Sequence, residues 1–229
     1  MVMYCGMVSD GTLAGTEMLF DFQSGIENPN ISSYTMVNVD GRLFFFADDG
    51  EHGLELWSTT GTADSTRMVA DLYVGSGSLS ISGQPVAFND GILFGASLGG
   101  GYGVFVSDGT EEGTYSIGGS GTGTYLSNPS NFTVLGDKVL FSALGSGTSY
   151  ELWITDGTEA GTMLLKDIYP GIGGSYPLNF EVIGDKAVFS ANSGSGNELW
   201  ITDGTEAGTV LLKDINPSGA SSPSWMTLL

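Results

Sequence analysis

A twelve-residue segment that recurs along the chain is the feature that most constrains its fold. It reads Glu-Leu-Trp-Ile-Thr-Asp-Gly-Thr-Glu-Ala-Gly-Thr over residues 151–162 and again over residues 198–209. Three looser copies place Asp10, Thr60 and Asp108 where the aspartate stands, so the copies are spaced by 50, 48, 48 and 47 residues. A fixed period of this length indicates a repeat architecture in which neighbouring units bury a common core.

One unit of the repeat contains four segments with the composition of β-strands. A Gly-Asp pair and the Asp-Gly-Thr motif separate them, and both are typical of tight turns. The expected strands are 131–135, 138–143, 150–155 and 162–168. The chain lacks the 3.6-residue apolar stripes of helical repeats, and a period near 48 suits a propeller blade. We therefore predict an all-β fold, a five-bladed β-propeller of four-stranded antiparallel blades.

The repeat boundaries predict one propeller domain over residues 1–229. The chain starts in the third strand of a unit, and residues 223–229 match the first strand at 129–135, so we expect the N- and C-termini to share a closing blade. The expected copies are 1–24, 25–75, 76–122, 123–171 and 172–217, followed by a closing strand at 218–229. From Asp203 through the C-terminus to Asp10 is only 36 residues. The closing blade is therefore expected to be one strand short, or to accept a strand from a neighbouring chain.

The Asp-Gly-Thr motif is interpreted as a structural turn. An aspartate carboxylate accepts backbone N–H bonds across such a turn, and glycine adopts positive φ without strain. Calcium binding is the alternative, but it requires more oxygen ligands than the motif supplies. The motif resembles the Asp-box of sialidase-type propellers, which is structural in that family. The turn residues are Asp10, Asp108, Asp156, Asp203, Gly11, Gly61, Gly109, Gly157 and Gly204.

A large apolar residue occupies the third position of the motif in every copy. It is Trp57, Trp153 or Trp200 in three copies, Phe105 in another and Met7 in the first. We assign these side chains to the core between blades. A sugar-stacking role would require a persistent exposed ring, and the methionine argues against it.

The composition excludes several classes of function. The chain has 26 acidic and 6 basic residues, a formal charge of −20, which disfavours binding to nucleic acid or insertion into a membrane. Cys5 is the single cysteine and His52 the single histidine, so an internal disulfide, a histidine-based metal site and a serine triad all lack parts. Paired carboxylates for glycoside cleavage are left open, because their distances cannot be deduced from sequence. We predict that the chain is not an enzyme and has no obligatory cofactor.

The motif as a whole resembles the ELWxxDGT repeat family of bacterial proteins, which are often large and surface-exposed. About nine-tenths of the chain is covered, and the fourth and fifth copies match best. The resemblance implies secretion and a propeller-like fold without an established catalytic activity. We therefore expect an extracellular or cell-surface module for binding or assembly. The alternatives are a structural subunit that associates through its closing blade, a glycan-binding lectin and, least favoured, a glycosidase-like enzyme.

Overall fold

The computed structural model describes residues 5–9, 11–21, 35–119, 125–224 and 226. Their regular structure is almost entirely β, with one 3₁₀ turn at Ala63–Ser65. The all-β prediction is confirmed. Within the described ranges, no helix is long and apolar enough to span a membrane.

Four sheets of four antiparallel strands follow one another along the chain, and we number them as blades I to IV. Blade I consists of β3 (Val37–Val39), β4 (Arg42–Asp48), β5 (Leu54–Thr59) and β6 (Arg67–Ala70). Blade II consists of β7 (Ser80–Phe88), β8 (Gly91–Ser97), β9 (Tyr102–Ser107) and β10 (Tyr115–Gly119). Blade III consists of β11 (Leu126–Leu135), β12 (Lys138–Gly145), β13 (Tyr150–Thr155) and β14 (Met163–Lys166). Blade IV consists of β15 (Leu178–Ile183), β16 (Lys186–Asn192), β17 (Asn197–Thr202) and β18 (Val210–Lys213).

A two-stranded hairpin, β1 (Cys5–Ser9) with β2 (Thr16–Asp21), precedes the blades. Its pairing matches the outer half of a blade: Met7 pairs with Met18 as Trp57 pairs with Met68, and both ladders shift register immediately before that pair. Four complete blades and this hairpin are thus described, and a complete fifth blade is not. The described residues of 218–229 form no strand.

The strand order in every blade is sequential, so each blade is a meander of hairpins. The bounds of the predicted strands of blade III lie within two residues of the observed ones, with one exception: β11 begins five residues before the predicted strand. The turns between the first and second strands and between the third and fourth strands lie at the same edge of each sheet. We call this edge the turn rim.

The core consists of apolar layers between consecutive blades. One cluster joins blades I and II, another joins II and III, and a third joins III and IV. Each blade therefore has a proximal face toward the preceding blade and a distal face toward the next. This arrangement is propeller-like, because blades II and III bury both faces against their neighbours.

Candidate functional site

The Asp-Gly-Thr turn of blade III is closed by bonds within the motif. The Thr158 amide and hydroxyl both donate to Oδ1 of Asp156, at 2.9 and 2.7 Å. The Thr158 hydroxyl oxygen accepts the amide of Gly161 at 3.0 Å, and Thr162 donates its hydroxyl to the Thr158 carbonyl at 2.7 Å. The hydroxyl bond from Thr158 holds the pKa of Asp156 below its usual value. The carboxylate therefore serves as an intramolecular acceptor.

The same bonds recur in the other blades that carry the aspartate. Asp108 accepts the amide and hydroxyl of Thr110, and Asp203 accepts those of Thr205. Asp10 lies outside the described residues, although Gly15 and Thr16 bond to Thr12 as their counterparts do in blade III. The turn glycines all adopt positive φ, between +83° and +94°: Gly11, Gly61, Gly109, Gly157 and Gly204.

The second glycine of the motif is required for space rather than for its φ angle. A Cβ on Gly161 would lie 2.0 Å from the Asp156 carboxylate, and Gly113 and Gly208 face the same obstruction from their own aspartates. Blade I differs at both positions, with Thr60 for the aspartate and Ser65 for the glycine. There the Ser65 hydroxyl oxygen accepts the amides of Thr60 and Thr62, at 3.0 and 3.2 Å. A serine hydroxyl thus replaces the missing carboxylate.

The aromatic positions of the motif lie in the layers between blades, on the proximal face. Phe105 packs in the blade I–II cluster, Trp153 in the II–III cluster and Trp200 in the III–IV cluster. Trp57 is half-buried beside Phe45 and donates its indole N–H to the Ala47 carbonyl at 3.1 Å.

A group that sequence reasoning missed is the glutamate of the motif. Glu151 is fully buried and accepts the backbone amides of Ile168, Tyr169 and Ser175, at 2.8, 3.4 and 3.0 Å, together with the Ser175 hydroxyl at 2.5 Å. These donors lie in the segment that leaves blade III for blade IV. We call such a segment the outgoing link of its blade. Glu151 therefore fixes the path of the chain from one blade to the next.

Blades I and IV use the same device with different donors. Glu198 accepts the amides of Ile215 and Ser221 and the Ser221 hydroxyl, at 3.2, 3.0 and 2.5 Å. Among the described residues, Glu55 accepts the amides of Leu72 and Tyr73, at 2.9 and 3.1 Å. The glutamate was missed because its partners are backbone amides 17 to 24 residues downstream. Its recurrence within a buried strand was the available signal.

The three buried glutamates differ in pKa because their donors differ. Burial raises the pKa of Glu55 to about 7, against two amide bonds that favour the ionised form. Burial also raises the pKa of Glu151, and it is opposed by the hydroxyl of Ser175 and by the amides of Ile168, Ser175 and Tyr169. The hydroxyl bond from Ser221 lowers the pKa of Glu198. Each difference follows the balance of desolvation and hydrogen bonding.

The turn rim carries two clefts between neighbouring blades. The first, about 540 Å³, lies between blades I and II and is lined by Asp40, Arg42, Asp90 and Asp108 among others. The Arg42 guanidinium donates to the Asp108 carbonyl at 3.1 Å across this cleft. The second, about 260 Å³, lies between blades II and III, and there Asp90 and Asp108 stand beside the exposed ring of Tyr115. Asp90 therefore borders both clefts.

In the parts of the chain that the structure describes, no group of three or more His, Cys, Asp or Glu side chains is placed to hold a metal ion. His52 forms a 2.7 Å contact from Nδ1 to the Asp49 carboxylate, and this contact raises the pKa of the imidazole.

The link tyrosines Tyr73 and Tyr169 pack on glycines of the next blade, Gly99 and Gly194. Those two rings are therefore structural contacts.

These features define a propeller-like repeat module, and comparison with known proteins agrees at the level of fold. No family model and no curated protein matches the sequence. Among solved structures, a puromycin hydrolase matches with a TM-score of 0.56 and 16% identity, over 89% of this chain and 31% of that one. A prolyl endopeptidase structure gives 0.55 and 14%, over 88% and 28%. A puromycin-hydrolyzing peptidase from Mycobacterium tuberculosis gives 0.54 and 13%, over 80% and 29%.

These neighbours are propeller proteins, and this chain spans about a third of their length. At identities of 13 to 16% the likeness extends to the fold alone. Function must therefore be argued from the residues of this chain.

Proposed function

We propose that this chain is a non-enzymatic binding module of the bacterial cell surface, and that it binds its ligand in the clefts of the turn rim. The observation that carries the proposal is the lining of these clefts, where the exposed Asp90 lies beside the exposed ring of Tyr115. Exposed carboxylates accept hydrogen bonds from hydroxyl or ammonium groups, and an aromatic ring offers an apolar platform. A neutral or cationic ligand, such as a surface glycan, suits this chemistry.

The proposal that the module lacks catalytic activity has its own support. The repeated polar side chains of the motif are engaged in bonds that stabilise the blade itself, as Asp156 is by Thr158 and Glu151 is by Ser175. The extracellular location follows from the ELWxxDGT resemblance and from the acidity of the chain, which favours solubility over contact with nucleic acid.

A glycan array tests the proposal with matched variants. We expect the wild-type chain to bind a defined set of glycans, and Asp90→Asn or Tyr115→Ala to reduce that binding. Asp185→Asn is the control, because Asp185 follows the corresponding glycine turn of blade IV and borders neither cleft. An array without signal at high protein concentration would retire the glycan ligand. Hydrolysis of an arrayed substrate would overturn the non-enzymatic assignment.

We also propose that the chain contains a fifth repeat unit. The hairpin β1–β2 has the pairing of an outer blade half, which supports a fifth unit. At the other end, the outgoing link of blade IV follows that of blade III: Asn179 donates to the Pro223 carbonyl at 3.4 Å as Asn131 donates to that of Pro177 at 3.3 Å. Ser222 has a φ of 47°, close to the 46° of its counterpart Tyr176. The chain therefore leaves blade IV along the path that begins a blade.

A second role, as a structural subunit of a surface layer or filament, is favoured by a separate observation. The apolar distal face of blade IV is uncovered, as the exposure of Leu212 and Ile215 indicates. Contiguous exposed apolar residues of this kind are typical of an interaction surface.

A further inference from the structure

The distal face of blade III shows what such a face contacts when it is covered. Its side chains form one buried cluster with Ala187, Phe189, Ala191 and Trp200 on the proximal face of blade IV. The contributing residues of blade III are Leu135, Leu140, Leu152, Ile154, Leu165 and Ile168. A distal face of this composition therefore accepts the proximal face of another blade.

Blade IV carries the same kind of side chain at each corresponding position, but the face is open. The equivalent residues are Ile183, Val188, Leu199, Ile201, Leu212 and Ile215, and of these Val188, near the middle of the face, stays buried at 8% exposure. Three pairs measure the difference in exposure: 6% for Leu135 against 47% for Ile183, 7% for Leu165 against 48% for Leu212, and 5% for Ile168 against 53% for Ile215. Blade IV thus presents an apolar surface built to the pattern of a blade interface.

The opposite end of the blade row is covered. Phe45 and Ala47, on the proximal face of blade I, are only 1% and 0% exposed, although no four-stranded blade precedes them in the described residues. Strand β2 lies against the Ala63–Ser65 turn of blade I. The row therefore has an N-terminal hairpin at one end and an uncovered distal face at the other.

We propose that the distal face of blade IV binds the N-terminal hairpin of a second copy of this chain. The hairpin repeats the third and fourth strands of a blade in register, with Met7 at the position where Trp200 contacts blade III. In this structure the hairpin of the same chain leaves the blade IV face exposed. The interface would join one end of a molecule to the other end of the next, a heterologous contact that produces a ring or a filament.

A polar contact supports the register of this interface. The Lys166 ammonium of blade III donates to the Glu206 carbonyl in the turn of blade IV, at 3.3 Å. The equivalent lysine of blade IV is Lys213, which is exposed. The hairpin residue equivalent to Glu206 is Leu13, and it is 95% exposed. Lys213 of one copy is therefore assigned to the Leu13 carbonyl of the next. The inference does not depend on what the rim clefts bind.

Sedimentation velocity over a concentration series tests the surface with two variants on one strand. We expect the wild-type chain to associate as concentration rises, and Leu212→Asp to weaken that association roughly tenfold or more, because it places a charge in an apolar interface. Val210→Asp is the matched control. Its exposure of 46% resembles that of Leu212, but its counterpart Met163 stays 51% exposed even where blade IV covers blade III. A wild-type chain that stays monomeric throughout, or equal losses in the two variants, would contradict the proposal.

Cross-linking identifies the occupant of the face. In a Cys5→Ser background, chains with Leu13→Cys are mixed with chains with Lys213→Cys and treated with a short bis-maleimide. We expect a covalent dimer in the mixture, and none when Val210→Cys replaces Lys213→Cys. A chain with both cysteines that cross-links only to itself, at monomer mass, would show that its own termini close one ring, and that result overturns the second-copy assignment.

Discussion

Blades I and III share the Glu-Leu-Trp segment but stabilise it with different partners. In blade III, Glu151 receives four donated bonds, including the Ser175 hydroxyl, whereas Glu55 of blade I receives two amides. Leu79 stands in blade I where Ser175 stands in blade III, as shown by the amide bonds of both residues to the first residue of the third strand. An apolar side chain therefore replaces the hydroxyl donor.

The closing turns of the two blades differ in the same way. Blade III combines Asp156 with Gly161, and blade I combines Thr60 with Ser65. Each pair supplies one oxygen that accepts backbone amides of the turn. In blade III this oxygen belongs to Asp156, and in blade I it belongs to Ser65. The repeat therefore retains an oxygen acceptor for the turn amides, and the two residues exchange as a matched pair to keep it.

The largest expected effect comes from removing the blade III carboxylate. Glu151→Ala leaves buried amides of the outgoing link without their acceptor, and each such group costs about 1–3 kcal/mol. We expect a loss of ~4 kcal/mol in the free energy of unfolding, measured by urea denaturation. The exposed Glu112 on the tip of blade II provides the control, because Glu112→Ala should change stability by less than about 0.5 kcal/mol. Equal effects would show that the Glu151 carboxylate does not hold the link.

A pH titration probes the weaker donor set of blade I. Because the pKa of Glu55 is raised from 4.5 to about 7, the folded state binds more protons than the unfolded state between these values. Its free energy of unfolding should therefore fall as pH rises through that window, by at most about 3 kcal/mol. Asp71 contributes to the raised pKa, and His52 opposes it. The measurement is urea denaturation of the wild-type chain and Glu55→Gln between pH 5 and pH 8.

Two variants make the pH result specific. The stability of Glu55→Gln relative to the wild-type chain should rise with pH, because the glutamine never ionises. Glu198→Gln should show no such rise between pH 5 and pH 8, and the opposite trend below pH 4.5: the pKa of Glu198 is lowered from 4.5, so its contribution is present at neutral pH and is lost as pH falls through that pKa. If both variants follow the same trend, the assigned difference in their donors is wrong.

The exchange of the turn pair is tested by placing the threonine and serine of blade I at the corresponding positions of blade III. Gly161→Ser places a side chain where the Asp156 carboxylate lies, and such overpacking costs roughly 2 kcal/mol. Adding Asp156→Thr should recover most of this loss, because Ser65 and Thr60 coexist in blade I. A double-mutant cycle in urea measures the coupling. Additive losses in the double variant would show that the two positions do not exchange as a pair.

The sequence was sufficient for features that follow from local rules. Alternating apolar residues and glycine turns predicted the meander of strands, and the period predicted consecutive four-stranded sheets. Gly157 was predicted at positive φ because the turn requires it, and its φ is +89°. The position of Trp153 between blades was predicted because Phe105 and Met7 share it, and shared size indicates packing.

The long-range hydrogen bonds between the blade and its outgoing link could not be predicted from local sequence rules. The main-chain groups that donate to Glu151 are amides in an irregular link, and no residue pattern reveals which amides a carboxylate accepts. The sequence of blade II did indicate indirectly that the glutamate and the outgoing link depend on each other. There Gly103 replaces the glutamate, and the segment after β10 is rich in glycine and threonine. The exchange of Ser65 for glycine was missed for a related reason, because only the structure shows the carboxylate that excludes a Cβ.

The smallest expected effect concerns the indoles of the two blades. Trp57 donates its N–H to the Ala47 carbonyl, whereas the buried Trp153 Nε1 has no hydrogen-bond partner among the described residues. Trp153→Phe removes this unsatisfied donor and leaves a small cavity, and the two effects oppose each other. We expect a loss of ~1 kcal/mol in urea denaturation, against ~3–5 kcal/mol for Trp153→Ala. Phe105 already occupies this position in blade II. A loss above about 3 kcal/mol for Trp153→Phe would show that the indole N–H is bound in solution.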